Sequence, residues 1–406
     1  MSFKYFETKL DNGLRISAEH SALAATAAVG FFVKTGARDE TKQLMGVSHF
    51  LEHMMFKGTQ TLTAEEVDLA FDNIGAEHNA FTSGEMTAFW GAGLPEVLGN
   101  ICGTLSDILR PSLRQKDFDD EKKVIIEEIA MYDDQPFWVL YESAMEQYYG
   151  DSPLGHRVLG TPETITSMQR DELAGYFTQR YSADNTTVVL AGNLDFDKMV
   201  ADIQHHCGSW ECTGATRNYD KVIRNEGKFE KHIPDLQQHY QLMMMPSVSF
   251  QNEHKHAAAA LAAILGGGDG SRLHWALIDT GLAEAASTSV DMNDGYGEQL
   301  VFAVCDPSNS EKVANIMRNE MADVVHTLTE EDLEKVLAKA ATGAAMASER
   351  PAGRMQRLGS MLTTSGKYVS LEDELQQIES LTIKDLQEVA EAYPWVPVFE
   401  ASTKHN

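Results

Sequence analysis

The sequence predicts an α+β protein made of two homologous-looking sandwich domains, each a mostly antiparallel sheet with helices packed on it. Three observations carry that expectation. Short β-rich or alternating runs are interspersed with longer segments of helical periodicity. A chain of 406 residues is long for one core, and two domains of about 200 residues each are the expected division. The order of a strand, a helix and a glycine-containing turn near residue 49 loosely recurs near residue 260.

Taken in order, residues 14–18 alternate like a half-buried strand, and the apolar run 24–33 leads to a helix at about 46–56. Thr63-Ala64-Glu65-Glu66 is a capping box that opens a helix to about Asn73. Residues 79–83 and 86–92, rich in aromatics and threonine, read as extended. Helices are expected at 95–110, 114–131, 136–149, 170–180 and 196–206, with a strand at 186–191. Between 208 and 228 the apolar periodicity gives way to Gly, Thr, Asn and charges, which places a linker at 209–228 between domains 1–208 and 229–406. In the second domain a strand at 240–246 and an alanine-rich helix at 255–265 precede a mostly helical stretch, 310–393, and a last strand at 396–401.

Composition narrows the class. Hydrophobic residues at 43% and charged ones at 23% describe an ordinary folded protein rather than a disordered one. The N-terminus has no basic stretch leading into a signal-length apolar run, and no segment reaches the roughly 18 apolar residues of a membrane helix, so a cytoplasmic chain starting at Met1 is expected. Cys102, Cys207, Cys212 and Cys305 are scattered, with no Cys-x-x-Cys pair to suggest a disulfide framework or a thiolate metal site. A net charge of -28 argues against nucleic acid and against anionic membrane as partners.

Chemistry concentrates in Ser48-His49-Phe50-Leu51-Glu52-His53-Met54. Residues four apart on a helix lie one above the other, so His49 and His53 can aim nitrogen lone pairs at one point. Glu52, three residues from His49, is close enough to that face to hold a water. Chance placement of His-x-x-acid-His in this composition gives about 0.07 occurrences per chain. The apolar neighbours Val47, Phe50, Leu51, Met54 and Met55 imply a buried helix, where histidines and a carboxylate need partners and a divalent metal supplies one. Catalytic zinc commonly takes three protein ligands, and the helix from 114 offers a third. Seven residues advance two helical turns, so Glu121 and Glu128 share a stripe with Phe118 and Ile125, beside Val124 and Tyr132, whereas Glu127 points about a third of a turn away. Glu128 is the expected third ligand, with Glu121 orienting a ligand or the water.

These motifs resemble the pitrilysin/insulinase family of inverted-zincin peptidases, particularly the shorter members related to the mitochondrial processing peptidase. The resemblance rests on Gly36-Ala37-Arg38-Asp39-Glu40, on Gly46 through Thr59, on Gly75-Ala76, Asn79-Ala80, Thr82-Ser83, Glu85 and Thr87, and on Glu121 with Glu128. It implies a zinc peptidase in which His49, His53 and Glu128 bind Zn2+, Glu52 is the general base, and Glu121 supports catalysis. It also implies that Asn79, Ala80, Phe81 and Thr82 bind the substrate backbone as an added strand.

The resemblance breaks in the second half. Family members often supply an arginine and a tyrosine seven residues apart, the tyrosine closing a Gly-Leu-Ala-Tyr run; here the run is Gly281-Leu282-Ala283-Glu284 and Leu277 stands in the arginine's place. Losing such an oxyanion donor costs about a hundredfold to a thousandfold in turnover. Arg272 and Tyr296 are nearby substitutes, against which a structural arginine and a strand tyrosine compete. The loop Gly266 to Arg272 lacks the Gly-Lys-Ser/Thr ending of a phosphate loop, and His254, His256 and His274 lie on different elements. The expected function is therefore a zinc endopeptidase acting on oligopeptides or unfolded segments in a cavity enclosed by the two domains. The rival is a zinc-loaded peptide-binding or assembly subunit completed by a partner. By resemblance, the partners are a peptide substrate and either a second copy or a related subunit.

Overall fold

A computed structural model describes residues 3–404. The first sheet contains β1 (Lys4–Lys9), β2 (Arg15–His20), β3 (Ala27–Val33), β4 (Glu77–Thr82), β5 (Thr87–Gly93) and β6 (Thr186–Gly192), in the order β1-β2-β6-β3-β5-β4. The second contains β7 (Gly227–His232), β8 (His239–Ser247), β9 (Ala285–Met292), β10 (Gly297–Cys305) and β11 (Phe399–Lys404), in the order β7-β11-β8-β10-β9. Each sheet has one parallel pair, β2 with β6 and β7 with β11; every other pairing is antiparallel. Setting β1 aside, the two orders match strand for strand, so the loose repeat seen in the sequence is a repeat of topology.

Eight helices precede the second sheet: α1 (Val47–Met55), α2 (Ala64–Asp72), α3 (Leu98–Ile108), α4 (Gln115–Asp133), α5 (Pro136–Tyr149), α6 (Pro162–Ser167), α7 (Arg170–Arg180) and α8 (Phe196–Cys207). Six more follow β7: α9 (Lys255–Gly266), α10 (Ser310–Asp323), α11 (Glu330–Ala347), α12 (Pro351–Ser365), α13 (Leu371–Glu379) and α14 (Ile383–Ala392). The capping box expected at Thr63 forms, its hydroxyl accepting from Glu66 N while the Glu66 side chain accepts from Thr63 N. None of these helices is long and apolar enough to cross a membrane, among the described residues.

The chain divides into two compact units, each gathered from three stretches. One comprises Met1–Met131, His156–Asn218 and Met346–Tyr368; the other comprises Tyr132–Gly155, Tyr219–Ala345 and Val369–Asn406. In the first, strand β3 is buried along its whole length because both faces of its sheet are covered. Alternate residues Val29, Phe31 and Val33 join the core that contains α1 and α3. From the other face, Gly30 and Phe32 meet α12, where a Cβ at Gly359 would run into the Phe32 ring. Arg354 of α12 is anchored by a buried ion pair to Glu19 of β2, Nε to Oε2 2.7 Å. In the second unit, buried Glu298 of β10 accepts hydrogen bonds from the hydroxyls of Tyr148 and Tyr149 on α5 and from Arg224.

Candidate metal centre

Helix α1 starts abruptly. Gly46 adopts φ +93°, a conformation that favours glycine, and offers no side chain to cap the helix. Glu40 does this instead: its carboxylate accepts from Gly46 N at 2.7 Å and from Ser48 N at 2.8 Å, satisfying amides that the helix leaves free. Burial pushes the Glu40 carboxyl up to about 7, against the pull of those two amides. The apolar residues Val47, Phe50, Leu51, Met54 and Met55 are all buried, and Phe50 stacks on Phe118 of α4 with ring centroids 4.7 Å apart. That stacked pair fixes α4 beside α1 and faces Glu128 toward the two histidines.

Three donor atoms then converge. His49 Nε2 lies 3.7 Å from Glu128 Oε2, His53 Nε2 lies 3.5 Å from the same oxygen, and one ligand atom from each residue lies within 4.8 Å of the other two. Those separations are long for hydrogen bonds. Two ligands held about 2.0–2.1 Å from a tetrahedral zinc ion stand about 3.3–3.4 Å apart, so the triad has the spacing and the imidazole-carboxylate chemistry of a zinc site. This is the one group of potential ligands so arranged among the described residues; His254, His256 and His274 form none.

The surrounding groups fix each ligand. Glu121 Oε1 pairs with His53 Nδ1 at 2.8 Å, which leaves Nε2 facing Glu128, and Glu121 Oε2 pairs with Lys57 Nζ at 2.7 Å. Burial alone would lower the His53 pKa, but the bond to Glu121 and the charges of Glu121, Glu128 and Glu52 outweigh it and raise it. Burial likewise favours protonated Glu121, yet its bonds to His53 and Lys57 hold it below its ordinary value. His49 has no such helper: burial, then the charge of His53, lower it to about 3, keeping its imidazole neutral. Its Nδ1 is buried and makes no hydrogen bond among the described residues.

Glu52 stands apart from the ligand triad. Thr82 Oγ1 donates to Glu52 Oε2 at 2.5 Å, and burial raises the Glu52 pKa, with Thr82 and His53 opposing and Glu128 reinforcing the shift. Thr82 belongs to β4, which ends its sheet and, among the described residues, pairs only with β5. Of the four residues expected to bind substrate, Thr82 alone bonds to this centre. Asn79 is exposed and its Oδ1 accepts from Ala80 N at 2.8 Å, while Phe81 packs edge-on to Phe32, centroids 6.4 Å apart.

Some placements differ from the sequence reading. Val124 is 46% exposed rather than flanking Glu121, because the buried stripe of α4 runs through Phe118, Glu121, Ile125 and Ile129. Lys57 and Thr82 acquire their roles through contacts distant in sequence, whereas Glu40 reaches amides only six and eight residues further on. Arg217, inside the expected linker, is buried and pairs with Asp39, Nη2 to Oδ2 2.7 Å, which Arg180 also grips at 2.9 Å. In the second half, Leu277 is wholly buried in a short π-helical turn, His274–Ile278, and the Glu284 carboxylate accepts from Gln238. Arg272 is a structural arginine, paired with Asp332 at 3.1 Å and bonded to Thr327 O at 2.7 Å.

Comparison with known proteins shows the family to which the chain belongs. Residues 15–162 match the family profile described as insulinase (peptidase family M16), and residues 167–340 match the M16 inactive domain. The chain is 32% identical to an uncharacterized zinc protease of Mycobacterium leprae, covering 94% of this chain and 88% of the relative. It is 28% identical to the uncharacterized zinc protease YmxG of Bacillus subtilis, covering 93% of each. Among solved structures it resembles a protease from Helicobacter pylori (TM-score 0.93, 20% identity, 99% and 100% of the two chains covered). It also resembles a peptidase M16 inactive domain from Pseudomonas fluorescens (TM-score 0.91, 15% identity, 98% and 97% covered). With an insulinase-type first half that brings His49, His53 and Glu128 together and an inactive-type second half, the chain belongs to the M16 (insulinase/pitrilysin) peptidase family.

Proposed function

We propose that this chain is a zinc-dependent endopeptidase acting on oligopeptides or unfolded polypeptide segments. The observation that carries the proposal is the convergence of His49, His53 and Glu128 beside Glu52, a carboxylate held by Thr82 rather than by the triad. Zinc bound by the three ligands would supply Lewis acidity and lower the pKa of a bound water toward neutrality. Glu52 takes the proton from the attacking water and passes it to the leaving amine nitrogen, a task suited to a carboxyl whose pKa burial has raised. Glu121 holds the His53 ring in the tautomer that keeps Nε2 free, and Lys57 holds Glu121. The open edge of β4 offers backbone groups to an extended peptide, and its Thr82 end lies against Glu52.

A second reading has its own support. Leu277 and Glu284 leave the second half without the family's expected arginine and tyrosine, and Leu277 is sealed in the core. A zinc-loaded subunit that needs a related partner for full turnover fits those two residues. A quenched fluorescent peptide library assayed with the zinc-loaded chain beside Glu52→Gln separates the readings. Zinc-dependent cleavage lost in the variant supports the peptidase, and equal background in both sinks it.

A further inference from the structure

Helix α9 is built largely of alanine, and its side chains are too short to close against its neighbours. Ala259, Ala260 and Ala263 form one wall, Val336 and Leu337 of α11 another, and a cavity of about 500 Å³ remains between them. Ile378 and Leu381 complete the apolar lining. An apolar cavity of this size with a few polar groups at one end has the composition of a small-ligand site.

Most of the polar groups sit at the glycine-rich loop and are mainly basic. Lys335 donates to Gly270 O at 3.1 Å and Lys339 to Asp269 O at 2.9 Å, and both lysines line the cavity. One helical turn apart, their like charges repel. Neither ammonium has a carboxylate within ion-pair distance among the described residues, whereas Arg272 is already neutralised by Asp332. Asp269 turns its side chain fully into solvent, 3.7 Å from His274. At the opposite end of α9, His256 also lines the cavity, and its Nε2 is buried with no hydrogen-bond partner among the described residues. In a chain of net charge -28, an apolar trough ending in two unpaired ammonium groups selects its occupant by charge as well as by shape.

We propose that this cavity binds an amphipathic monocarboxylate, with an unbranched aliphatic tail in the alanine trough and its anionic head at Lys335 and Lys339. The site lies in the half whose profile is called inactive, and the proposal does not depend on the metal centre. Calorimetric titration of the full chain with hexanoate, octanoate and decanoate, each below its micellar concentration, tests it, with decyltrimethylammonium as the cationic control. Each added pair of methylenes should tighten Kd about fifteenfold, from the roughly 0.8 kcal/mol of each buried methylene. The cation should not bind. Lys335→Gln combined with Lys339→Gln should weaken decanoate at least about tenfold, the value of one charge-assisted contact, while preserving the dependence on chain length. Ala263→Phe should abolish binding by filling the trough, and if it misfolds, the lysine pair still decides. The proposal is overturned if decanoate gives no binding, if the cation binds as tightly, or if the lysine variant binds like the parent. It is also overturned if Ala263→Phe changes only the sedimentation behaviour, which would make a second copy of the chain the occupant of the groove.

Discussion

The two sheets are the same construction put to different use. In both, the strand that precedes the central helix lies in mid-sheet, β3 before α1 and β8 before α9, and the strand after it forms the open edge, β4 or β9. What differs is the helix between them. α1 carries two imidazoles and a carboxylate among large apolar residues, with Phe50 stacked on Phe118 to bring in Glu128. α9 carries a run of alanines and keeps a cavity instead. The scaffold is shared, and the side chains of one helix decide whether it gathers groups able to ligate a metal or leaves an apolar cavity.

That contrast can be broken at several points. The largest effect should come from His53→Ala, which removes one ligand: metal analysis should find zinc content falling toward zero and peptidase activity falling to background. A chelator should do the same to the parent chain, with activity restored by added zinc. Next, Glu52→Gln should lower kcat by about 10²–10⁴-fold while leaving zinc content unchanged, since Glu52 is not a ligand; a drop in zinc would make it one. Glu121→Gln should weaken zinc about 10–100-fold by freeing the His53 ring, measurable by competition with a chromophoric chelator. For the second half, Leu277→Arg, which restores the family residue, should cost about 3–5 kcal/mol in denaturant unfolding rather than raise turnover, because position 277 is wholly buried.

The smallest expected effect is a pH dependence. Zinc requires neutral His53, whose pKa is raised above its ordinary 6.5, so affinity should weaken progressively as pH falls below that raised value. In the metal-free chain the sign reverses. A raised folded-state pKa means His53 stabilises the fold fully below 6.5, and this contribution is lost as pH rises through the raised value. Glu121, with a depressed pKa, stabilises the fold above its ordinary 4.5 and loses that contribution as pH falls through the depressed value. Melting curves of metal-free His53→Gln and the parent should therefore converge at alkaline pH. A gap that persists there would mean that His53 acts through packing instead.

Sequence reading succeeded where the signal is local. The α1 pentapeptide, the stripe of Glu121 and Glu128 and the capping box at Thr63 are each set by spacings of a few residues, and the structure places those elements within a few residues of expectation. It missed β1, β7 and β9, which are edge strands whose many polar or small residues carry little apolar alternation. Strand β10 is a different case, since Leu300-Val301-Phe302-Ala303-Val304 is a plain apolar run whose signal was available. The supports of the site were not legible, because Thr82 reaches Glu52 across 30 residues and Arg217 reaches Asp39 across 178. Segment 208–226 lacks regular structure, as its composition suggests, yet it is no free tether: Arg217 ties its earlier part to Asp39 of the first unit, and Arg224 ties its later part to Glu298 of the second.

An open strand edge that can receive a peptide cannot by itself tell a substrate from another protein's strand. Strand β4 is such an edge, with Glu77 and Asn79 exposed upon it. Part of the discrimination falls to electrostatics: copies of a chain with net charge -28 repel one another before their edges meet. That repulsion reaches only about 8 Å at physiological ionic strength and about 3 Å in molar salt. Concentrated salt should therefore make this chain self-associate through the same edge that its proposed chemistry needs open, tying its solubility to the ionic medium in which it works.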